Sequence, residues 1–220
     1  MNSYKEIDLE TWPRRKIYEF YRKFASPCFN VTVSVNAQTI YDYAKAHHES
    51  FFLLALYAIT RAANRVPQIK QRTIKDKVVE FDKIAVMTPI LTPAEMFHQV
   101  WCEYRPDFIL FKEHAQPKIE LAKSGEPAPL EDHGDDFFCA NCVPWLHFDS
   151  ITQAEMEFSQ AIPILAWGKL QDGLVPISVK FNHCFIDGLH VSRFFEEIGR
   201  WFSDPESLYR SFHSVDSSGD

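Results

Sequence analysis

The chain has 220 residues, of which 46% are hydrophobic and 24% charged, a composition typical of a folded globular protein and not of a disordered one. Its formal net charge of -7, from 23 basic and 30 acidic residues, disfavours general binding to nucleic acids or to acidic membrane surfaces. There is no apolar run long enough for a membrane helix and no signal peptide at the start, so we expect a cytoplasmic protein. Five cysteines, an odd number in a chain of this size, favour free thiols.

The first quarter of the chain predicts a strand followed by a pair of helices. Residues 29–35 (FNVTVSV) alternate apolar and polar side chains and are rich in β-branched ones, which is typical of a half-buried strand. The second helix of the pair begins after Ser50 and ends before Pro67. Its nearly continuous apolar sequence predicts that it is buried on most sides.

The middle of the chain has weaker signals. Residues 77–87 (KVVEFDKIAVM) predict a pair of strands. Residues 93–123 favour helix, interrupted at Pro106 and Pro117. Residues 125–136 contain turn formers and acidic side chains, and they predict an exposed loop.

The last third predicts a hairpin and a covering helix. Residues 161–167 and 174–182 are strand-like, with a QDG turn between them. In the second strand the period of two places His183 on the inner face, in line with Val175, Ile177, Val179 and Phe181. Residues 188–202 have the spacing of an amphipathic helix. The whole predicts an α/β fold: a two-layer sandwich, with a mixed and largely antiparallel sheet covered by helices, in one domain over residues 1–213 with a flexible tail at 214–220.

The strongest chemical signal is the segment HCFIDG, from His183 to Gly188. A histidine held at the inner end of a strand can act as a general base towards a hydroxyl or thiol near neutral pH. Asp187 follows in a turn that Gly188 allows, and it could orient the site by pairing with an arginine. The same spacing also fits a core histidine and an aspartate that caps the next helix. A metal site formed with His190 would need an unusual turn.

A second candidate is the CxxC pair of Cys139 and Cys142. It could be a redox pair or half of a zinc site, but no second pair of ligands at standard spacing accompanies it. Buried structural cysteines explain it better, and we predict no metal.

Near the N-terminus, Arg14 belongs to a basic stretch that is otherwise typical of a solvated helix. If Arg14 is buried beside Asp187, it would form a bidentate clamp.

These stretches together resemble the chloramphenicol acetyltransferases, the coenzyme A-dependent transferases of the HxxxDG type. The resemblance extends over the whole chain: WPRRKIYEFYR near the start, FF with an apolar helix that ends in Asn64, then VPWLHFDS and HCFIDGLHVSRF. HxxxDG alone is shared with dihydrolipoyl acyltransferases and condensation enzymes, but the other motifs are narrower. A lipoyl-linked subunit is disfavoured because 220 residues leave no room for a lipoyl domain and its linker.

The resemblance implies a CoA-dependent acyltransferase fold and a homotrimer with active sites between subunits, each combining the histidine of one subunit with a pocket of its neighbour. It implies acetyl transfer from acetyl-CoA to a hydroxyl, with His183 as the base and with Asp187 paired to Arg14 as a structural support. Phe20 and Tyr21 match aromatic residues of the acceptor pocket. Lys169 matches a position near the coenzyme.

The sequence departs from the family at the oxyanion site. Asn141 occupies the position of a serine that donates a hydrogen bond to the tetrahedral oxyanion, and Ala166 that of a threonine that helps to hold a water there. Cys139 replaces a supporting asparagine. An asparagine amide can still donate to an oxyanion.

Three hypotheses follow from the resemblance and its departures. The first is an O-acetyltransferase that acts on chloramphenicol or a similar small hydroxylated acceptor. The second keeps the fold but changes the acceptor or the acyl donor. The third is a catalytically weak trimer that binds CoA or a small ligand because Asn141 has ended transfer.

Overall fold

The computed structural model describes residues 3–127, 134–154 and 162–210. Within these ranges the chain forms strands and helices in the order β1 (Tyr4–Glu6), α1 (Arg15–Tyr21), β2 (Cys28–Asn36), α2 (Gln38–Ala46), α3 (Phe51–Arg65), β3 (Gln71–Ile74), β4 (Lys77–Phe81), β5 (Ala85–Leu91), β6 (Phe97–Cys102), α4 (Phe108–Lys123), β7 (Phe137–Cys142), β8 (Ile164–Trp167), β9 (Leu174–Asn182) and α5 (Gly188–Ser203), with short 3-10 turns at Pro67–Lys70 and Pro205–Tyr209.

Six strands form the main sheet in the order β2-β9-β8-β7-β5-β6, and a smaller sheet has the order β1-β4-β3. In the main sheet β7 runs parallel to β5 and to β8, while the other neighbours are antiparallel. Helices α4 and α5 lie against the main sheet and α3 packs against both helices. The predicted mixed α/β architecture with helices on a sheet is therefore confirmed.

The predicted core helix is α3. The hydroxyl of Ser50 caps it by accepting a hydrogen bond from the backbone N–H of Leu53 at 3.3 Å. Every residue from Leu53 to Ala63 is buried, which agrees with the continuous apolar sequence. The helix ends at Arg65, before Pro67, as predicted.

The predicted hairpin near the C-terminus is formed by β8 and β9. Its turn places Asp172 and Gly173 at φ values of 50° and 78°, which is the left-handed geometry that short hairpins require. In β9 the residues from Val175 to Asn182 are buried. The amphipathic helix predicted next is α5.

The prediction of helix over residues 93–123 is wrong in its first part. A tight turn with Glu95 at φ 58° joins β5 to β6, so the segment forms a hairpin before α4 begins. The carboxylate of Asp107 caps α4 by accepting from the N–H of Leu110 at 2.9 Å. Pro117 lies inside α4 and does not end it, because packing of the buried face can outweigh one lost backbone hydrogen bond.

Two smaller predictions also need correction. Residues 77–87 do form strands, but β4 belongs to the small sheet and β5 to the main one, so they do not pair with each other. Gly188 is the first residue of α5 and does not have a positive φ, and a Cβ placed on it would meet no atom within 4 Å. The turn after Asp187 therefore does not depend on the conformational freedom of glycine.

The predicted loop at residues 125–136 lies partly, and the predicted tail at 214–220 wholly, outside the described residues. Among the helices that the structure describes, none has the length and hydropathy needed to span a membrane.

Candidate active site

His183 follows the last residue of β9, and its imidazole lies between two aromatic rings. The ring of Tyr21, from α1, is stacked on it with centroids 4.1 Å apart and an interplanar angle of 11°. Phe29, from β2, approaches to 4.7 Å. The backbone N–H of His183 donates to the carbonyl of Pro27 at 2.8 Å, so the main chain is held as well. Nδ1 is buried and has no hydrogen-bond partner among the described residues, which leaves Nε2 as the nitrogen that a substrate can reach.

The backbone around His183 is fixed by Arg14. One guanidinium nitrogen is 2.6 Å from a carboxylate oxygen of Asp187, Nε donates to the carbonyl of Cys184 at 2.9 Å, and the remaining nitrogen donates to the carbonyl of His183 at 3.0 Å. The side chain of Arg14 is only 10% exposed. The predicted pairing of Arg14 with Asp187 is therefore present, but it is not bidentate: one nitrogen contacts the carboxylate, and the other two hold the backbone of the turn that follows the histidine.

Asp187 is not positioned to orient the His183 imidazole. Its carboxylate contacts Arg14 on one side and Nδ1 of His190 on the other, at 2.9 Å. Burial alone would raise the pKa of Asp187, but the hydrogen bond from Arg14 and the charges of Arg14 and His190 lower it below its ordinary value. The carboxylate stays ionised and supports the turn; it does not form a His–Asp catalytic pair with His183.

Asn141 lies on β7, far from His183 within the same chain. The strand register places it level with Ala166 on β8 and with Ser178 on β9. His183 is five residues beyond Ser178, roughly 16 Å along the strand, and β7 is two strand spacings, roughly 10 Å, away from β9. The two side chains also lie on opposite faces of the sheet, because residues five apart on a strand alternate.

Asn141 lines a cavity of about 360 Å³ on the face of the sheet opposite to the helices. Its amide nitrogen donates a long hydrogen bond, 3.4 Å, to the side-chain oxygen of Gln153. The walls are uncharged and mostly apolar, and they consist of Pro89, Leu91, Phe97, Gln99, Asn141, Cys142 and Trp145.

A second cavity has a volume of about 260 Å³ and is lined by Lys169. Cys142 lines both this cavity and the first one. Apart from Lys169, its walls are aromatic and apolar, with Phe51, Phe52, Trp167 and Leu170 among them. The neighbouring Gly168 is required by packing, since a Cβ there would lie 2.6 Å from the carbonyl oxygen of Leu146. Lys169 itself is exposed, so a cation stands at the edge of an apolar cleft.

The remaining residues singled out from the sequence lie apart from one another. Phe20 is 56% exposed and packs edge-on against Tyr21, 5.1 Å between centroids, beside the histidine. Ala166 is fully buried on β8 next to Asn141. Sequence analysis missed Phe29, although its pairing with Phe181 in the antiparallel β2–β9 ladder places it beside His183.

The cysteine pair does not form a redox or zinc site. Residues three apart on a strand point to opposite faces, so the Cys139 and Cys142 side chains diverge. Burial raises the pKa of the Cys139 thiol to about 11 and that of the Cys142 thiol to about 12. Within the described ranges no three His, Cys, Asp or Glu side chains are arranged to hold a metal ion.

The fold is that of the CoA-dependent acyltransferases, with the histidine of the HxxxDG segment at the end of β9, the strand next to the β2 edge. The sequence model of chloramphenicol acetyltransferase matches residues 1–199, so the chain belongs to the chloramphenicol acetyltransferase family and is an acyltransferase.

Individual proteins agree with this assignment. The chain is 26% identical over 204 residues to chloramphenicol acetyltransferase 3 of Escherichia coli, covering 89% of this chain and 95% of that protein. It is 24% identical over 216 residues to the chloramphenicol acetyltransferase of Streptomyces acrimycini, covering 92% and 96%. A solved chloramphenicol acetyltransferase superposes with a TM-score of 0.82 at 31% identity, covering 91% of this chain and all of the other. A dihydrolipoamide acetyltransferase of Azotobacter vinelandii, 15% identical with a TM-score of 0.65 and 88% of each chain covered, shares the fold.

Proposed function

We propose that the protein transfers the acetyl group of acetyl-CoA to the hydroxyl of a small acceptor, chloramphenicol or a similar alcohol, with His183 as the general base. The observation that carries this proposal is the imidazole held between Tyr21 and Phe29 with its Nδ1 buried. A ring held in this way presents Nε2 in one direction, and geometry of this kind is the first requirement for a general base.

The proposed reaction has two proton transfers. Nε2 takes the proton of the acceptor hydroxyl while its oxygen attacks the thioester carbonyl, and a tetrahedral oxyanion forms. The intermediate collapses by breaking the carbon–sulfur bond, and the imidazolium returns the proton to the leaving thiolate. The products are the acetyl ester and free CoA, and His183 regains its starting form.

The separation of His183 and Asn141 within one chain supports a homotrimer with active sites between subunits. The histidine lies near the β2 edge of the sheet and the cavity of Asn141 near the β6 edge. Surfaces at opposite edges of one sheet suit a head-to-tail contact between copies, and such contacts form a ring when the rotation between subunits closes. Large apolar side chains, Phe20 and Phe24 at one edge and Leu91, Phe97 and Trp145 at the other, are exposed in the single chain.

Two further residues have proposed roles in this arrangement. The cleft beside Lys169 fits the apolar and anionic character of a CoA molecule, with the lysine close to a phosphate. The Asn141 amide, which makes a long 3.4 Å contact with Gln153, would donate to the oxyanion in place of the family's serine.

Acetyl-CoA turnover with thiol detection tests this function, first with chloramphenicol and then with a panel of alcohols and amines. We expect thiol release that depends on the acceptor, and a loss of roughly a hundred-fold or more in His183→Ala. No turnover with any acceptor, together with tight binding of CoA, would instead support the catalytically weak binding trimer.

Mixing two inactive variants tests the shared site. His183→Ala removes the base, and Phe97→Arg places a charge in the cavity at a side chain that is 58% exposed. If base and cavity come from different subunits, trimers reassembled from equal amounts should recover about a quarter of the wild-type activity. If one chain holds the complete site, mixing should recover none. The molar mass in solution, measured on each variant, checks that both still assemble.

A further inference from the structure

We infer that Gln99 is a specificity-determining residue. Its amide oxygen accepts a hydrogen bond from an N–H or O–H group of a neutral acceptor. This donor group is distinct from the hydroxyl that is acetylated. This inference rests on the proposed function and narrows its substrate class. Gln99 lines the same cavity as Asn141.

The space next to Gln99 lies where the hydrogen-bonded ladder between β5 and β7 ends. The parallel ladder between β5 and β7 ends at Met87 and Cys139, two residues before it would join Pro89 to Asn141. Proline has no N–H to continue a ladder. On its other side Pro89 pairs with Gln99 in the β5–β6 hairpin. The side chains of Pro89, Gln99 and Asn141 therefore share one face around the end of the ladder.

The amide oxygen of Gln99 is buried and accepts no hydrogen bond from any described residue. A buried acceptor without a partner is unfavourable unless a water or ligand supplies a donor. Gln99 lines the cavity, so a rotation of its amide would present the oxygen to such a group bound there.

The other walls of the cavity restrict what can bind. None of the lining residues carries a charge, so an ionised acceptor would lose its hydration without an opposite charge in return. Leu91, Phe97 and Trp145 offer large apolar surfaces. The acceptor that fits is a neutral molecule with an aromatic or apolar part and a hydrogen-bond donor near the acetylated hydroxyl.

The test compares acceptors in which that donor is either free or methylated. One pair is 1-phenylpropane-1,3-diol and its benzylic methyl ether; the other is chloramphenicol and its N-methyl amide. Both members of each pair keep the same primary hydroxyl. We expect the wild-type protein to prefer the donor-bearing member of at least one pair by about ten- to a hundred-fold in kcat/KM.

The variant Gln99→Met keeps the length of the side chain and removes the acceptor. It should abolish the preference by lowering kcat/KM for the donor-bearing member to about the value for the methylated member. Gln171→Met, at the exposed hairpin turn, is the matched control and should keep the preference. A preference that survives in Gln99→Met, or its absence from both pairs in the wild-type protein, would overturn the inference.

Binding separates this inference from the proposed function. If no acceptor is acetylated, the same pairs are compared by calorimetric titration of the wild-type protein and of Gln99→Met. A donor preference in Kd that only the wild-type protein shows would support the role of Gln99 even though transfer had failed. The same ratio of Kd values between the two members of a pair in both proteins would refute that role.

Discussion

The imidazole of His183 and the phenol ring of Tyr21 lie face to face, with centroids 4.1 Å apart and an angle of 11° between their planes. Tyr21 is the last residue of α1, whose start adjoins Arg14, so the same short segment supplies both the ring that stacks on the histidine and the guanidinium that holds its backbone. This short helix thus controls the orientation of the proposed base.

Replacing Tyr21 tests the stacking. Tyr21→Phe keeps the ring and should leave kcat near the wild-type value, whereas Tyr21→Leu should lower it by about three- to ten-fold because the imidazole loses its aromatic support. Phe24→Leu is the control, because it removes a ring that packs on Tyr21, with centroids 5.2 Å apart, and leaves the ring that stacks on the histidine in place. It should keep kcat near the wild-type value. Equal kcat values for the phenylalanine and leucine variants of Tyr21 would show that the stack has no role in turnover.

Arg14→Lys should destabilise the fold and lower activity together. A lysine cannot reach the carbonyls of His183 and Cys184 and the Asp187 carboxylate in the fixed directions of a guanidinium. We expect a loss of about 1–3 kcal/mol in the free energy of unfolding, measured by urea denaturation.

The control for this substitution is Arg15→Lys. Among the described residues Arg15 forms ion pairs with Glu10 and Glu19 alone, both on the surface, so its replacement should change stability little. A wild-type unfolding midpoint in Arg14→Lys would contradict the supporting role given to Arg14.

Asn141→Ser restores the oxyanion donor that the family resemblance implies. Transfer to chloramphenicol should rise by about ten-fold or more if Asn141 limits the stabilisation of the oxyanion. Asn141→Ala, measured alongside, should fall below the wild-type rate if the amide donates. An unchanged rate in the serine variant would place the difference in the acceptor cavity instead.

His190 should make stability depend on pH. Burial lowers its pKa below the ordinary 6.5, although the charge of Asp187 acts in the opposite direction. The unfolded chain then binds a proton at a higher pH than the folded protein does. The contribution of His190 to stability should therefore be constant above about pH 6.5 and decline as the pH falls below it.

Urea denaturation at pH 7.5 and 5.5 measures this decline. His190→Gln should reduce it, whereas His147→Gln, at an exposed side chain, should not. An identical decline in the wild-type protein and in His190→Gln would exclude His190 as its source.

The periodic elements could be predicted from the sequence because burial of one face leaves a local pattern. The hairpin of β8 and β9, the core helix α3 and the amphipathic helix α5 each show that pattern in consecutive residues. The helix predicted over residues 93–123 is wrong in its first part because pairing of β5 with β6 through a turn at Glu95 forms a hairpin there, and the cap at Asp107 starts α4 only afterwards.

The sequence by itself determined the α/β class, the family and the candidate residues, since motifs such as HCFIDG are contiguous and local chemistry suffices to recognise them. Only the tertiary structure decided which of those residues meet. It brought Arg14 to Asp187 across 173 positions of the chain and kept Asn141 away from His183, because strand order and register are set by packing over the whole sheet. The buried, unpartnered oxygen of Gln99 has no local pattern at all, since it arises where a ladder between two distant strands ends.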